Sequence, residues 1–213
     1  MAIKPLLDQA KERFIATAPE EVQSLVFRHI KEQQESGIVF GLQEGDQAPN
    51  FTLANPLGEH VNLYDELAKG PVVLTFYRGS WCPFCNIQLR AYQQLLPEIE
   101  KLGGQLMAVS LQNPDNSLSH QEKENLTFQV LSDSNGHVAD RYRVLYELPD
   151  YLRNLYAKSG MDLAGFHQTD RWILPITATF IVDKEGSIRR AHANPDLMKR
   201  MEPQDIMDQL KKL

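Results

Sequence analysis

Cys82 and Cys85 are the only cysteines of this chain, separated by two residues in Trp81-Cys82-Pro83-Phe84-Cys85. They directly follow the apolar run Val72-Val73-Leu74-Thr75-Phe76-Tyr77. A strand that ends in Cys-x-x-Cys and turns into a helix suits thiol–disulfide chemistry, because the sulfurs can bridge and a helix start can stabilise a thiolate. Pro83 fits the first helical turn, which predicts Cys82 at the N-cap and Cys85 about one turn in. There the free backbone N–H groups and the positive end of the helix dipole favour the ionised sulfur. Moving a thiol pKa from ~8.5 to ~7 raises its thiolate fraction at pH 7 from ~3% to ~50%. Arg78, four residues earlier, adds positive charge. Cys82 is therefore expected to attack, and Cys85, deeper and less acidic, to resolve.

Other uses of two cysteines fit less well. Zinc needs two further ligands, and His29, His60, His120, His137, His167 and His192 are scattered without paired spacing. A Trp-Cys-Pro-x-Cys turn is a poor place to bury unreactive thiols. No nucleotide or metal signature occurs, so no bound cofactor is expected. The net charge of −6 argues against a nucleic-acid or anionic-membrane partner. No apolar stretch approaches the ~18–20 residues of a membrane span, and the N-terminus lacks a signal-peptide pattern. A cytoplasmic location is the expectation, and there two cysteines read as redox-active rather than structural.

The elements that must position the pair follow from periodicity. Residues 3–36 read as two helices, with Ile3, Leu6/Leu7, Ala10 and Phe14 on the first and Val22, Leu25/Val26 and Ile30 on the second. Thr17-Ala18-Pro19-Glu20 resembles a capping box between them, and Gly37 a stop. From Gly45 strands and helices alternate. A short hairpin is expected around Pro56-Leu57-Gly58, followed by a buried strand over 71–77 and a helix over 83–102 kinked at Pro97. Next come a strand over 105–111, a polar exposed helix over 115–125, a strand over 128–131 and a short helix over 137–143. A hairpin joins 177–182 to 187–193, and a last helix covers 203–212. This order predicts an α/β layer fold with a mixed central sheet flanked by helices. The division expected is an N-terminal helical extension over 1–40 and a main domain over 41–213. The extension is expected to pack on its own domain or on a second subunit in a homodimer.

On these residues the chain resembles the peroxiredoxin-like branch of the alkyl hydroperoxide reductase/thiol-specific antioxidant family, which has a thioredoxin-like fold. The matching segments are Gly45–Leu53, Phe76–Asn86, Leu131-Ser132-Asp133 and Ala178–Asp183, in the family's order. The resemblance implies reduction of hydrogen peroxide or organic hydroperoxides, with thioredoxin or a similar dithiol as donor. Two departures stand out. Ordinary peroxiredoxins place a Thr three residues before the peroxidatic cysteine, where this chain has Gly79. They also place an Arg just before the Ala-Thr-Phe strand, and much of this branch a Pro, where this chain has Thr177. Either the peroxide pocket is built differently or peroxide reactivity is weaker. A non-proline cis bond costs ~2.5–4 kcal/mol, so a trans peptide is expected before Thr177, its hydroxyl directed at Cys82.

In the implied mechanism the Cys82 thiolate attacks a peroxide oxygen to give a sulfenic acid, Cys85 closes a disulfide on it, and an external dithiol reduces the bridge. Arg78 is the candidate for thiolate stabilisation, Trp81 shields the site and Thr177 faces it. Arg90 is expected at the surface. Residues 146–174 read as an insertion that forms a helix and covers part of the site. Two alternatives stay open: a thiol–disulfide oxidoreductase acting on protein disulfides, and a redox-sensing module whose cysteines switch a partner contact.

Overall fold

The computed structural model describes residues 2–167 and 169–213. Two helices come first, α1 (Lys4–Thr17) and α2 (Glu20–Glu35). The antiparallel pair β1 (Thr52–Ala54) and β2 (His60–Asn62) leads through α3 (Leu63–Leu67) to β3 (Val72–Phe76). Then follow α4 (Pro83–Lys101), β4 (Gln105–Ser110), α5 (Pro114–Glu124), β5 (Gln129–Ser132) and α6 (His137–Arg141). A segment of β6 (Leu145–Glu147), α7 (Asp150–Lys158), α8 (Leu163–His167) and β7 (Ile173–Pro175) precedes β8 (Thr177–Val182), β9 (Ile188–Asn194) and α9 (Pro203–Leu210).

The main sheet has the order β2-β1-β5-β4-β3-β8-β9. Strands β3, β4 and β5 run parallel, while β8 is antiparallel to β3 and β9 to β8. The sheet is therefore mixed, as the element order implies. Strand β3 is buried along its whole length, which explains its unbroken apolar run. Its side chains alternate between two cores. Val72, Leu74 and Phe76 join one, and Val73 and Tyr77 join the other, beside Cys82, Cys85 and the inner face of α4. Leu89, wholly buried on that face, contributes about 1.5–3 kcal/mol by leaving water. Polar groups anchor the helix as well. Gln88 Nε2 donates to the hydroxyl oxygens of Thr75 (3.3 Å) and Thr179 (3.2 Å), and the Tyr92 hydroxyl donates to the Met201 carbonyl at 2.8 Å.

The structure amends several local expectations. The Thr17–Glu20 capping box does not form: Pro19 is the N-cap of α2, and the Thr17 hydroxyl bonds back to the Arg13 carbonyl. The first turn of α1 is satisfied from afar, its Ile3 and Lys4 N–H groups donating to the Glu202 carboxylate at 2.8 Å each. Helix α5 is not simply exposed, since Ser117 and His120 are buried. Residues 146–174 hold two helices within an antiparallel ribbon of β6 and β7, a pairing that no local pattern announced. The extension covers this chain's own body, with α1 against α4 and α2 against α7.

Candidate active site

The loop from Tyr77 to Trp81 delivers Cys82 to the N-cap of α4, with Pro83 in the first turn, as the spacing predicted. The turn is closed by the Cys82 N–H donating to the Gly79 carbonyl at 3.1 Å. It is braced by the Asn86 amide donating to the Ser80 carbonyl (2.8 Å) and the Ser80 N–H donating to Gln112 Oε1 (2.6 Å). Gly79 has φ +152°, and a Cβ there would lie 2.9 Å from Trp81 Cδ1 and closer still to its Nε1. The hydroxyl residue of ordinary peroxiredoxins has no room at this position, because the Trp81 ring fills it.

Both cysteines are reduced, with Cys82 2% and Cys85 0% exposed. Their sulfurs share a hydrogen bond at 2.9 Å. Two arginines approach the pair. Arg78 is buried, donates to the Tyr156 hydroxyl and stacks over Trp81 at 4.9 Å. Arg200 is also buried, and its Nη2 lies 3.7 Å from Cys85 Sγ. Among the described residues neither forms an ion pair with a carboxylate. Buried charges need partners, and the anion within reach here is a cysteine thiolate.

The charge does not rest where the helix position alone would put it. Burial pushes the Cys82 thiol well above its ordinary value, and the hydrogen bond to Cys85 and the Cys85 charge push the same way, against Arg78 and Arg200. Burial also opposes ionisation of Cys85, but its hydrogen bond with Cys82, the Arg200 guanidinium and the Arg78 backbone N–H bring it down to about 5. The pair thus holds one proton and one negative charge across the 2.9 Å contact. Arg200, 115 residues from Cys85 in sequence and on a segment held by the Tyr92–Met201 bond, favours the negative charge on either sulfur. In addition, the Cys82 side chain accepts no bond from the free N–H groups of α4.

The remaining sequence candidates have mixed placements. Trp81 packs edge-on against Tyr156 of α7, their centroids 5.9 Å apart, so the 146–174 segment does cover this side of the cysteine turn. Thr177 is 2% exposed and preceded by a trans peptide, but among the described residues its hydroxyl has no hydrogen-bond partner, neither sulfur included. Instead Thr177 lines a small cavity of about 30 Å³ together with Arg78, Tyr146, Tyr156 and His29. Arg90 is half exposed and pairs with Glu124 at 2.7 Å, away from the sulfurs. Arg200 and Tyr156 were not singled out from sequence. Neither sits in a motif, and each reaches the site only through the packing of α9 and α7.

Comparison with known proteins agrees with this geometry. The "Peroxiredoxin Bcp" of Escherichia coli K12 is 29% identical over 147 residues, covering 69% of this chain and 83% of that one. The "Putative peroxiredoxin bcp" of Helicobacter pylori J99 is 31% identical over 156 residues, covering 72% and 89%. Among solved structures, the peroxidoxin BcpB of Mycobacterium tuberculosis superposes with a TM-score of 0.64 at 19% identity, over 81% of this chain and 98% of that one, which shows a shared thioredoxin-like fold. The AhpC/TSA family profile matches residues 44–191, from the loop before β1 through the cysteine turn and the β8–β9 hairpin. With a reduced cysteine pair at the start of α4, set against a mixed sheet of this topology, the chain is a member of the AhpC/TSA family of peroxiredoxins.

Proposed function

We propose that this protein is a thiol-dependent peroxidase in which Cys82 is oxidised by a hydroperoxide and Cys85 resolves it. The observation that carries this reading is the pair of sulfurs 2.9 Å apart, flanked by two buried arginines that have no carboxylate partner among the described residues. Cys82 lies at the helix mouth beside Arg78, whose guanidinium helps to stabilise its thiolate, while Cys85 lies one turn deeper. The proton shared by the pair can pass to Cys85, leaving the thiolate on Cys82. That thiolate attacks the terminal peroxide oxygen, so that an S–O bond forms as the O–O bond breaks and sulfur gives up two electrons. The leaving oxygen takes the proton held by Cys85, and the products are water or an alcohol, a Cys82 sulfenic acid and a Cys85 thiolate. Cys85 then displaces hydroxide from that sulfur to close the Cys82–Cys85 disulfide, which a thioredoxin-type dithiol reduces.

Both sulfurs are almost wholly buried in the reduced state, which favours a small oxidant over a protein disulfide as their first partner. Trp81 supports the site by shielding it, and Thr177 by lining the cavity beside Arg78. No helix among the described residues is long and apolar enough to cross a membrane. We place the reaction in the cytoplasm, where the reductant would keep the pair reduced. The test is stopped-flow oxidation of the reduced protein by hydrogen peroxide. The expected result is formation of the Cys82–Cys85 bridge far faster than oxidation of a free thiol at equal pH, with turnover when thioredoxin and its reductase are supplied. Oxidation at the free-thiol rate, with rapid exchange against protein disulfides, would turn the assignment to an oxidoreductase.

A further inference from the structure

Arg200 lies in the connection between β9 and α9, and that connection is fastened on both sides of it. The Lys199 N–H donates to the Asp196 carbonyl at 2.9 Å, and the Tyr92 hydroxyl donates to the Met201 carbonyl at 2.8 Å. One residue further on, the Glu202 carboxylate accepts the Ile3 and Lys4 N–H groups of α1. The buried guanidinium is thereby held with Nη1 on the Lys199 carbonyl and Nη2 3.7 Å from Cys85 Sγ. A buried cation costs free energy unless an anion answers it. The other titratable groups near this contact, Tyr77, Tyr92 and His192, are pushed toward their neutral forms chiefly by burial. What remains beside Arg200 is the cysteine pair, with Arg78 as a second cation.

Reopening the Cys82–Cys85 bridge is the step that calls for such a cation. A donor thiolate attacks one sulfur, a new S–S bond forms as the old one breaks, and the electron pair departs with the other sulfur as a thiolate. A sulfur leaves faster, and the reduced state is more stable, the better that thiolate is held. The two sulfurs are unequal in this respect. Cys82 is the N-cap of α4 with the exposed Pro83 beside it, whereas Cys85 is wholly buried one turn deeper and carries the contact with Arg200. Closing the bridge from a separation of 2.9 Å moves the sulfurs by no more than about 1 Å, which keeps Cys85 beside the guanidinium.

We propose that Arg200 is the leaving-group residue of the reductive half of the cycle: its guanidinium receives the Cys85 thiolate released when a dithiol donor attacks Cys82. The assignment rests on the peroxidase function proposed above for the oxidant that makes the bridge, and adds how the bridge is reopened and at which sulfur. The donor's second thiol then attacks its own sulfur in the mixed disulfide and frees Cys82. The donor gives up two electrons and two protons. One proton settles on the cysteine pair and the other passes to water, because the pair retains one negative charge beside Arg200.

The test equilibrates the full chain, bridged beforehand with diamide so that no peroxide enters, against dithiothreitol buffers between pH 6 and 8. Because one proton is released for each bridge reduced, the wild-type equilibrium constant should rise about tenfold per pH unit. In R200M that rise should begin about 1–3 pH units higher, so that the constant at pH 7 falls about ten- to hundredfold. R200K, which keeps the charge, should lie closer to wild type. Glutathione, a monothiol, should be trapped on Cys82 with Cys85 left open to iodoacetamide, as located by fragmentation mass spectrometry. A packing role would lower the thermal midpoint of R200M and leave the onset of the pH rise in place, which overturns the assignment. So does a pH-independent wild type, an R200K no closer to wild type than R200M, or glutathione on Cys85. Should R200M fail to fold, the wild-type slope, R200K and the trapped sulfur still decide. A wild type oxidised by hydrogen peroxide no faster than a free thiol removes the peroxidase reading and leaves these outcomes unchanged.

Discussion

On the Cys82 side of the turn, Arg78 is stacked on Trp81, bonded to Tyr156 and lines a cavity shared with Thr177 and His29. On the Cys85 side, Arg200 sits against the sulfur at 3.7 Å with its Nη1 donating to the Lys199 carbonyl, in a segment pinned by Tyr92. Both guanidiniums are buried, and among the described residues neither has a carboxylate partner, yet their surroundings differ: Arg78 lines a cavity, whereas Arg200 touches the Cys85 sulfur. Under the proposed function Arg78 is the cation beside the attacking sulfur and Arg200 the one beside the resolving sulfur.

The largest test of that division is the sulfurs themselves. Cys82→Ser should abolish peroxide turnover, whereas Cys85→Ser should still be oxidised once and stop as a sulfenic acid, seen by mass spectrometry as one added oxygen. Persistent turnover in the first variant would reverse the two roles. Next in size is the Arg78 side. Arg78→Met removes a donor to the charge that develops on the leaving oxygen, and about a hundredfold loss in peroxide reactivity is expected. A matching loss in iodoacetamide alkylation would instead mark Arg78 as acting on the thiolate alone.

The Arg200 side predicts a different signature. The reduced pair should show one thiolate by ultraviolet absorbance, titrating near pH 5. Arg200→Met should move that midpoint upward by about 1–3 pH units. The sign follows from the depressed Cys85 value. Stability owed to that charge is fully present above the ordinary thiol pKa and is lost as pH falls through about 5, so the variant should lose most of its acid–base contrast between pH 5 and 9. An unmoved midpoint would make Arg200 a packing residue.

Smaller effects probe the frame. Gly79→Ala places a methyl against Trp81 and should destabilise the fold by about 1–3 kcal/mol, read as a drop in thermal midpoint. Arg90→Ala, which removes a half-exposed pair with Glu124, should change stability by no more than about 1 kcal/mol and leave peroxide reactivity alone.

Much of the frame was legible because its causes are local. The apolar run 72–77 is a strand buried on both faces, Pro83 marks the first turn of α4, and Gly37 ends α2 with φ +74°. The hairpin around Asp183–Gly186 also stands as its turn residues predict. Expectations failed where distant groups compete with neighbours. Thr17 lost its capping role to a bond with Arg13, and Glu202 supplied the helix start that α1 lacked. The Thr177 hydroxyl, expected at Cys82, lines the cavity instead.

By itself the amino-acid order determined that two thiols share one helical turn, that the turn follows a buried strand, and that an α/β sheet carries both. These rest on spacing and on side-chain periodicity, which act within a few residues. Tertiary structure alone decided which cations stand beside the sulfurs and which residues line the cavity. Arg200, Tyr156, Thr177 and His29 lie from 53 to 118 positions from Cys82 and are brought to this side of the molecule only by folding, and electrostatic energy depends on distance in space rather than along the chain.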